Sequence, residues 1–261
     1  MTKALFFDID GTLVSLRTHE IPASAIEAIA RARDRGIRII ISTGRPRQLI
    51  NNLGPIEHLI DGYITVNGAC CVIGGQTIST TPVCKEDVAT LLRCSDTMHF
   101  PSLVVGTDDV IVYNPDKSVD RVFGDLLNLH DLKLNSPVEP LLEGDILQLT
   151  PIIDRAQEAV IVPQFRHSVS VRWCDYFSDV LSEDADKGRG MARMASHLGI
   201  GIDECMAFGD GGNDISILRR AGTGVAMGNA GTEVKAAADY ITKDIDDGGV
   251  AHALRHFGII S

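Results

Sequence analysis

Ala4-Leu5-Phe6-Phe7-Asp8-Ile9-Asp10-Gly11-Thr12 decides how the rest of the chain is read. Its apolar half runs without alternation, which marks a strand buried on both faces, as in the middle of a parallel sheet. Two carboxylates stand at its downstream end. Side chains on extended backbone repeat every second residue, so Asp8 and Asp10 can share one space while Ile9 points into the protein. Gly11 permits a sharp turn, and Thr12 is suited to satisfying backbone groups within it. Paired acids thus fall just beyond the carboxyl end of a strand, where open α/β sheets bind ligands.

Outward from this stretch the same unit recurs. Residues 22–35 carry a helical pattern, with Ile21, Ala25, Ile29 and Ala32 near helical spacing and Gly36 as the stop. An apolar strand at 37–41 then ends in Ser42-Thr43-Gly44-Arg45-Pro46. Pro46 predicts the first turn of a helix to about residue 53, which would set Thr43 and Gly44 at a helix N-terminus, a natural anion site. A third strand at 63–66 ends in Asn67-Gly68, and 69–81 reads as a hairpin turning at Gly74-Gly75. From about 84 to 182 the character changes. Helical stretches at 85–93 and 119–127 mix with short β-like runs at 103–105, 110–113, 146–149 and 169–172, the pattern of an inserted α+β domain. The β/α rhythm resumes with a helix at 188–199, a buried strand at 205–208 and the loop Gly209-Asp210-Gly211-Gly212-Asn213-Asp214. A helix to 220, a strand at 224–227 and a helix at 232–239 follow.

The composition sets limits. The chain has 261 residues, 44% of them hydrophobic, enough for a full core. A formal net charge of −11 argues against a nucleic-acid surface, which concentrates Lys and Arg against phosphates. It leaves room for a small phosphorylated substrate, whose local electrostatics are set by a metal ion and a few cations. Six cysteines, with Cys70 and Cys71 adjacent, do not form a disulfide scaffold. No leader-like segment and no apolar run near the ~18 residues of a membrane span are present, so the expected compartment is the cytosol, away from membranes.

Strand-end placement brings together Asp8 and Asp10, Thr43-Gly44-Arg45, Lys187, and Asp210, Asn213 and Asp214. As a set they suit phosphoryl transfer. One carboxylate can attack phosphorus and split a difficult displacement into two easier steps. A second acid must protonate the leaving oxygen and then activate water. Mg²⁺ would screen the approach of carboxylate to phosphate, with Asp8 and Asp210 as the obvious ligands. Lys187, the Thr43 hydroxyl and helix-terminal N–H groups would stabilise the transferring charge.

These motifs, in this order and along the whole chain, resemble the haloacid dehalogenase-like (HAD) hydrolases. Thr43-Gly44-Arg45, Asn67-Gly68-Ala69 and an insertion after the third strand resemble the Cof-like sugar-phosphatase branch with its C2-type cap. The resemblance implies a Rossmann-like three-layer α/β core with a central parallel sheet (residues 1–83 and 183–261) and an inserted α+β cap (84–182) that selects the substrate. It implies Asp8 as nucleophile and Asp10 as general acid/base, with the Asp10 carbonyl a third metal ligand beside Asp8 and Asp210. Thr43 and Lys187 would hold the phosphate, with Gly44, Arg45, Asn67 and Asn213 around the substrate and Asp214 behind them. The expected activity is Mg²⁺-dependent hydrolysis of small phosphomonoesters, foremost sugar phosphates, through an aspartyl phosphate. A phosphomutase on the same fold and a non-catalytic phosphate-binding module are the alternatives. The run Ser182-Glu183-Asp184-Ala185-Asp186 is more acidic than this branch's usual approach to the lysine.

Other features have plainer readings. Trp173 and Asp175 are candidate sugar contacts in the cap, against a Trp in the cap's own core and a surface Asp. Asn67 is as readily a turn residue as a substrate contact. His252 and His256 have the i, i+4 spacing of zinc ligands, but Ala253-Leu254-Arg255 between them lacks the metalloprotease Glu. The loop at 209–212 fails as a dinucleotide fingerprint because position 214, where a third glycine belongs, is Asp.

Overall fold

In the computed structural model, which describes residues 1–126, 132–134, 136–172 and 174–261, the chain begins with β1 (Ala4–Phe7), α1 (Ala23–Asp34) and β2 (Arg38–Ser42). Strands β3 (Gly62–Thr65), β4 (Cys70–Ile73) and β5 (Gln76–Thr80) follow. Next come α2 (Lys85–Met98), β6 (Ser102–Gly106), β7 (Val110–Tyr113), α3 (Glu139–Leu142), β8 (Ile146–Pro151), α4 (Arg155–Ile161), β9 (Ser168–Val171) and β10 (Asp179–Ser182). The last part holds α5 (Lys187–Leu198), β11 (Cys205–Gly209), α6 (Ile215–Arg220), β12 (Thr223–Ala226), α7 (Thr232–Ala237), β13 (Tyr240–Ile241) and α8 (Gly249–His256). Two units result, Met1–Ser79 with Asp186–Ser261, and Thr80–Ala185.

The first unit is built on an eight-stranded sheet in the order β13-β12-β11-β1-β2-β3-β4-β5. From β13 to β3 the pairings are parallel, and β4 returns antiparallel on β3. All four residues of β1 are at 0% exposure, as its unbroken apolar run requires of a central strand. Leu5 and Phe7 join Ala25 and Ile29 of α1 and Val250 and Leu254 of α8 on one face. Ala4 and Phe6 meet Met191 and Met194 of α5 and Ile217 and Leu218 of α6 on the other. Phe7 stacks on Phe208 of β11 with ring centroids 4.7 Å apart. Burial of each such side chain contributes on the order of 2 kcal/mol, which fixes β1 and so the loop it ends in. This is the three-layer α/β architecture.

The helix predicted from Pro46 does not form. Only single 3₁₀ stretches at Arg47–Leu49 and Gly54–Leu59 appear, with Ile50 extended between them. Asn51 and Asn52 are weak helix formers, and Pro55 disfavours helical backbone at Gly54 before it. The helix N-terminal anion site proposed at Thr43 and Gly44 is therefore withdrawn.

The second unit is a five-stranded sheet, β7-β6-β8-β10-β9, antiparallel throughout. Val88, Leu91 and Leu92 of α2 pack on Val104, Leu149 and Val180 from its central strands. Asp87, itself fully buried, accepts from the backbone N–H groups of Arg166 and His167 and from the Ser168 hydroxyl. That carboxylate ties the start of α2 to the entry of β9. The stretch expected to be helical at 119–127 winds as a π-helical turn over Asp120–Leu126, and residue 127 lies outside the described residues. Among the described residues no helix is long and apolar enough to cross a membrane.

Candidate active site

The loop after β1 is closed by its own backbone: Leu13 and Val14 N–H groups donate to the Ile9 carbonyl at 2.9 and 2.7 Å, and Gly11 N–H donates to Val14. Gly11 has φ +86°, and a Cβ there would stand 2.2 Å from Asp210 Oδ2. Glycine is thus required both for the turn and for the approach of the second acidic loop. Thr12, expected to serve the turn's backbone, instead donates its hydroxyl to Asp210 Oδ1 at 2.7 Å, 198 residues away. Asn229 braces the same loop by donating to the Gly11 carbonyl while accepting from Ile245 N–H. No motif marked Asn229; only its place after a strand end, at Gly228-Asn229, hinted at a site residue.

Lys187, at the start of α5, is completely buried, and its Nζ donates to Asp8 Oδ1 and Asp214 Oδ1, both at 2.6 Å. Asp186 caps this helix, accepting from Arg189 N–H at 2.8 Å, so the acidic run before the lysine ends in an ordinary N-cap. The other oxygen of Asp214 accepts from the N–H groups of Asp210 and Gly211, which folds the loop after β11 back on itself. Asp214 thus sits in direct contact with the lysine.

Burial pushes Lys187 toward its neutral form, but Asp214 and Asp8 outweigh it and hold the ammonium charged, with its pKa raised. Burial pushes the Asp8 carboxyl well above the usual carboxylate range, against the pull of Lys187 and helped by Asp214 and Asp210. These two upward shifts oppose each other across one 2.6 Å contact, since a neutral Asp8 would hold Lys187 less firmly. We take the lysine as charged, because Asp214 holds it at the same distance, and the rise at Asp8 as the mark of excess buried negative charge. Asp210 carries the same mark. Burial pushes it up to about 6, the Thr12 hydroxyl opposes this, and Asp214 adds to it.

Oxygens of Asp8, Asp210 and Asp214 lie within 4.8 Å of one another. Three carboxylates around one ammonium leave an uncompensated charge, and an all-oxygen, anionic donor set is what a hard divalent cation takes. The site therefore fits a divalent metal. Asp214 belongs to this cluster by geometry, although the sequence placed it only behind the ligands.

The remaining predicted residues fall into two groups. Thr43 is buried at the end of β2, with its N–H on Ile64 O at 2.8 Å and its Oγ1 accepting from Arg45 N–H. Gly44 lies against Asn67 and Asn213, whose amides bond each other at 2.9 Å. Val66 and Asn67 both have positive φ, 52° and 50°, and Val66 is β-branched, so this turn stores backbone strain beside the site. Gly68 passes so close to Asp186 O that a Cβ would stand 2.1 Å from it. Arg45, expected around the substrate, forks onto Asp10, with Nε on Oδ2 at 2.8 Å and Nη2 on Oδ1 at 2.7 Å. Asp175 belongs to the other unit, exposed and 3.7 Å from Arg155, and Trp173 lies outside the described residues. His252 bonds Tyr240 and Thr242, and His256 stacks on Tyr240, so this histidine pair packs the β13 edge.

The family described as haloacid dehalogenase-like hydrolase matches residues 5–254. The chain belongs to the HAD-like hydrolases. Its sequence is similar to YkrA of Bacillus subtilis, 31% identical over 267 residues and covering 99% of each chain. It is also similar to the pyridoxal phosphate phosphatase YbhA of Escherichia coli, 28% identical, covering 93% of this chain and 94% of that one. Among solved structures, the HAD subclass IIB sugar phosphatase BT4131 superposes with a TM-score of 0.89 at 42% identity, over 99% of this chain and 100% of the other. This places the chain's neighbours in the Cof-like branch.

Proposed function

We propose that this HAD-type phosphatase is a Mg²⁺-dependent phosphomonoesterase acting on small phosphorylated metabolites, sugar phosphates foremost, through an aspartyl phosphate on Asp8. The observation that carries the reading is the buried lysine bridging Asp8 and Asp214 beside Asp210, three acids to one cation. Mg²⁺ held by Asp8, Asp210 and the Asp10 carbonyl would screen the charge between nucleophile and phosphate.

In the first step an Asp8 oxygen bonds to phosphorus and the P–O bond to the leaving alcohol breaks, while Asp10 gives that oxygen its proton. In the second, water attacks phosphorus, its proton passes to Asp10, and the bond between phosphorus and Asp8 breaks to release inorganic phosphate. Lys187 and the Thr43 hydroxyl hold the transferring group, and Asn67 and Asn213, bonded to each other, border it with Gly44. Asp214 fixes Lys187 and the loop carrying Asp210. The unit Thr80–Ala185 is assigned the choice of leaving group, with Trp173 and Asp175 as candidate contacts. The sugar class rests on the likeness to BT4131. The likeness to YbhA puts pyridoxal phosphate beside it in any test.

The test is inorganic phosphate release with Mg²⁺ and with a chelator, across hexose, pentose and triose phosphates, nucleotides, pyridoxal phosphate and an aryl phosphate. Metal-dependent release led by sugar phosphates is expected. Isomer formation without phosphate release would replace hydrolysis by a mutase reaction, and release unaffected by the chelator would remove Mg²⁺.

A further inference from the structure

The proposed chemistry leaves the fork between Arg45 and Asp10 unused. It joins loops 35 residues apart and occupies one lone pair on each Asp10 oxygen, at 2.8 and 2.7 Å. The Arg45 backbone N–H is fixed on Thr43 Oγ1 at 3.1 Å, and its remaining Nη1 reaches Asn51 Oδ1 at 3.4 Å. The side chains are 30% and 38% exposed, so the pair adds little to stability. What a bidentate guanidinium supplies is orientation, because its planar donors fix the plane of the carboxyl they grip.

We infer that Arg45 is the positioning residue for the proton donor Asp10, a deepening that rests on the hydrolytic reading above. A guanidinium has donors only. When Asp10 carries the proton, one carboxyl oxygen can still accept from Arg45, but the O–H cannot face a donor and turns to the other side. There it meets the leaving oxygen and passes its proton as the P–O bond breaks. After transfer both oxygens are acceptors again, the fork closes, and the carboxylate is held in place to take the proton of the attacking water. Arg45 thus acts through Asp10 and not on the transferring phosphate.

The two roles separate by leaving group. An acid matters most where the departing alcohol is a poor leaving group, whereas a phosphate contact matters equally for every ester. The experiment measures kcat and KM for p-nitrophenyl, phenyl and benzyl phosphate, in wild type, Arg45→Ala and Arg45→Lys, with thermal midpoints to establish folding. Arg45→Ala is expected to lower kcat/KM for benzyl phosphate on the order of 10- to 100-fold and for p-nitrophenyl phosphate by less than about 3-fold, with no rise in KM, because a slower water-attack step lowers kcat and KM together. Arg45→Lys, a point donor without the fork, should fall between, and it serves as the test if the alanine variant does not fold. Equal losses on all three esters with a raised KM would overturn the inference and make Arg45 a phosphate contact, leaving the hydrolytic reading standing. A folded wild-type enzyme that releases no phosphate from any of them would overturn both.

Discussion

Asp8 and Asp87 are both buried carboxylates, one in each unit, and their surroundings treat them in opposite ways. Burial pushes Asp87 upward, but the His167 N–H, the Ser168 hydroxyl and the Arg166 N–H outweigh it and hold the carboxyl below its ordinary range. Asp8 has a single bonded cation, shared with Asp214, and burial together with Asp214 and Asp210 drives it up. One acid is satisfied by donors and the other is crowded by its own kind. Asp87, which ties two elements together, is met by three donors, whereas the clustered carboxylates of Asp8, Asp210 and Asp214 are left short of positive charge. Burial alone does not separate the two cases, and the count of neighbouring charges does.

The largest effect should come from the crowded site. Asp8→Asn is expected to lower phosphate release on the order of 10⁴-fold or more while leaving the thermal midpoint level or higher, since one excess buried charge is gone. Full activity in that variant would break the contrast. Lys187→Met removes the cation that two buried acids share, and should cost about 3–5 kcal/mol in denaturant unfolding as well as activity. A variant with wild-type stability would mean that the cluster is neutral. Asp87→Ala leaves two backbone N–H groups and a hydroxyl without their acceptor. It should cost about 2–3 kcal/mol while the kcat for an aryl phosphate stays within about 2-fold.

The same contrast has a pH signature. Because the Asp87 pKa is lower folded than unfolded, its contribution is present above the unfolded value of about 3.9 and is lost as pH falls through the folded one. Acid unfolding of the wild type should therefore be steeper below about pH 4 than that of Asp87→Asn, and matching curves would deny Asp87 its structural role. The smallest effect is expected at Asp175, exposed and only loosely facing Arg155. Asp175→Ala should move stability by less than about 0.5 kcal/mol, so any change in the ranking of sugar phosphates reports substrate contact and not folding.

The sequence stretches that proved legible are those whose physics is local. β1 and β11 are apolar runs closed by Asp and Gly, and both lie in the centre of the sheet as that pattern requires. Residues 46–53 failed because one favourable signal, Pro46, was outweighed by the asparagines and by Gly54-Pro55. Strand β10 went unread because Asp179 and Ser182 give it polar ends. Only tertiary structure makes Asp179 an inside residue, by supplying Gln148 and Thr150 as donors. Within the site, residue types and loops were legible and partners were not. Nothing in Thr43-Gly44-Arg45 tells whether the arginine reaches a phosphate or an acid 35 residues upstream. Thr12 could not be seen to reach Asp210, because that bond exists only once β1 and β11 lie side by side.

The central claim is that phosphate passes through Asp8. The direct measurement is acid quenching of enzyme mixed with Mg²⁺ and ³²P-labelled substrate, followed by counting label retained on protein for wild type and Asp8→Asn. The account predicts base-labile label on the wild type during turnover and none on the variant. Label persisting on Asp8→Asn, or turnover by the wild type with no retained label at any quench time, would contradict it.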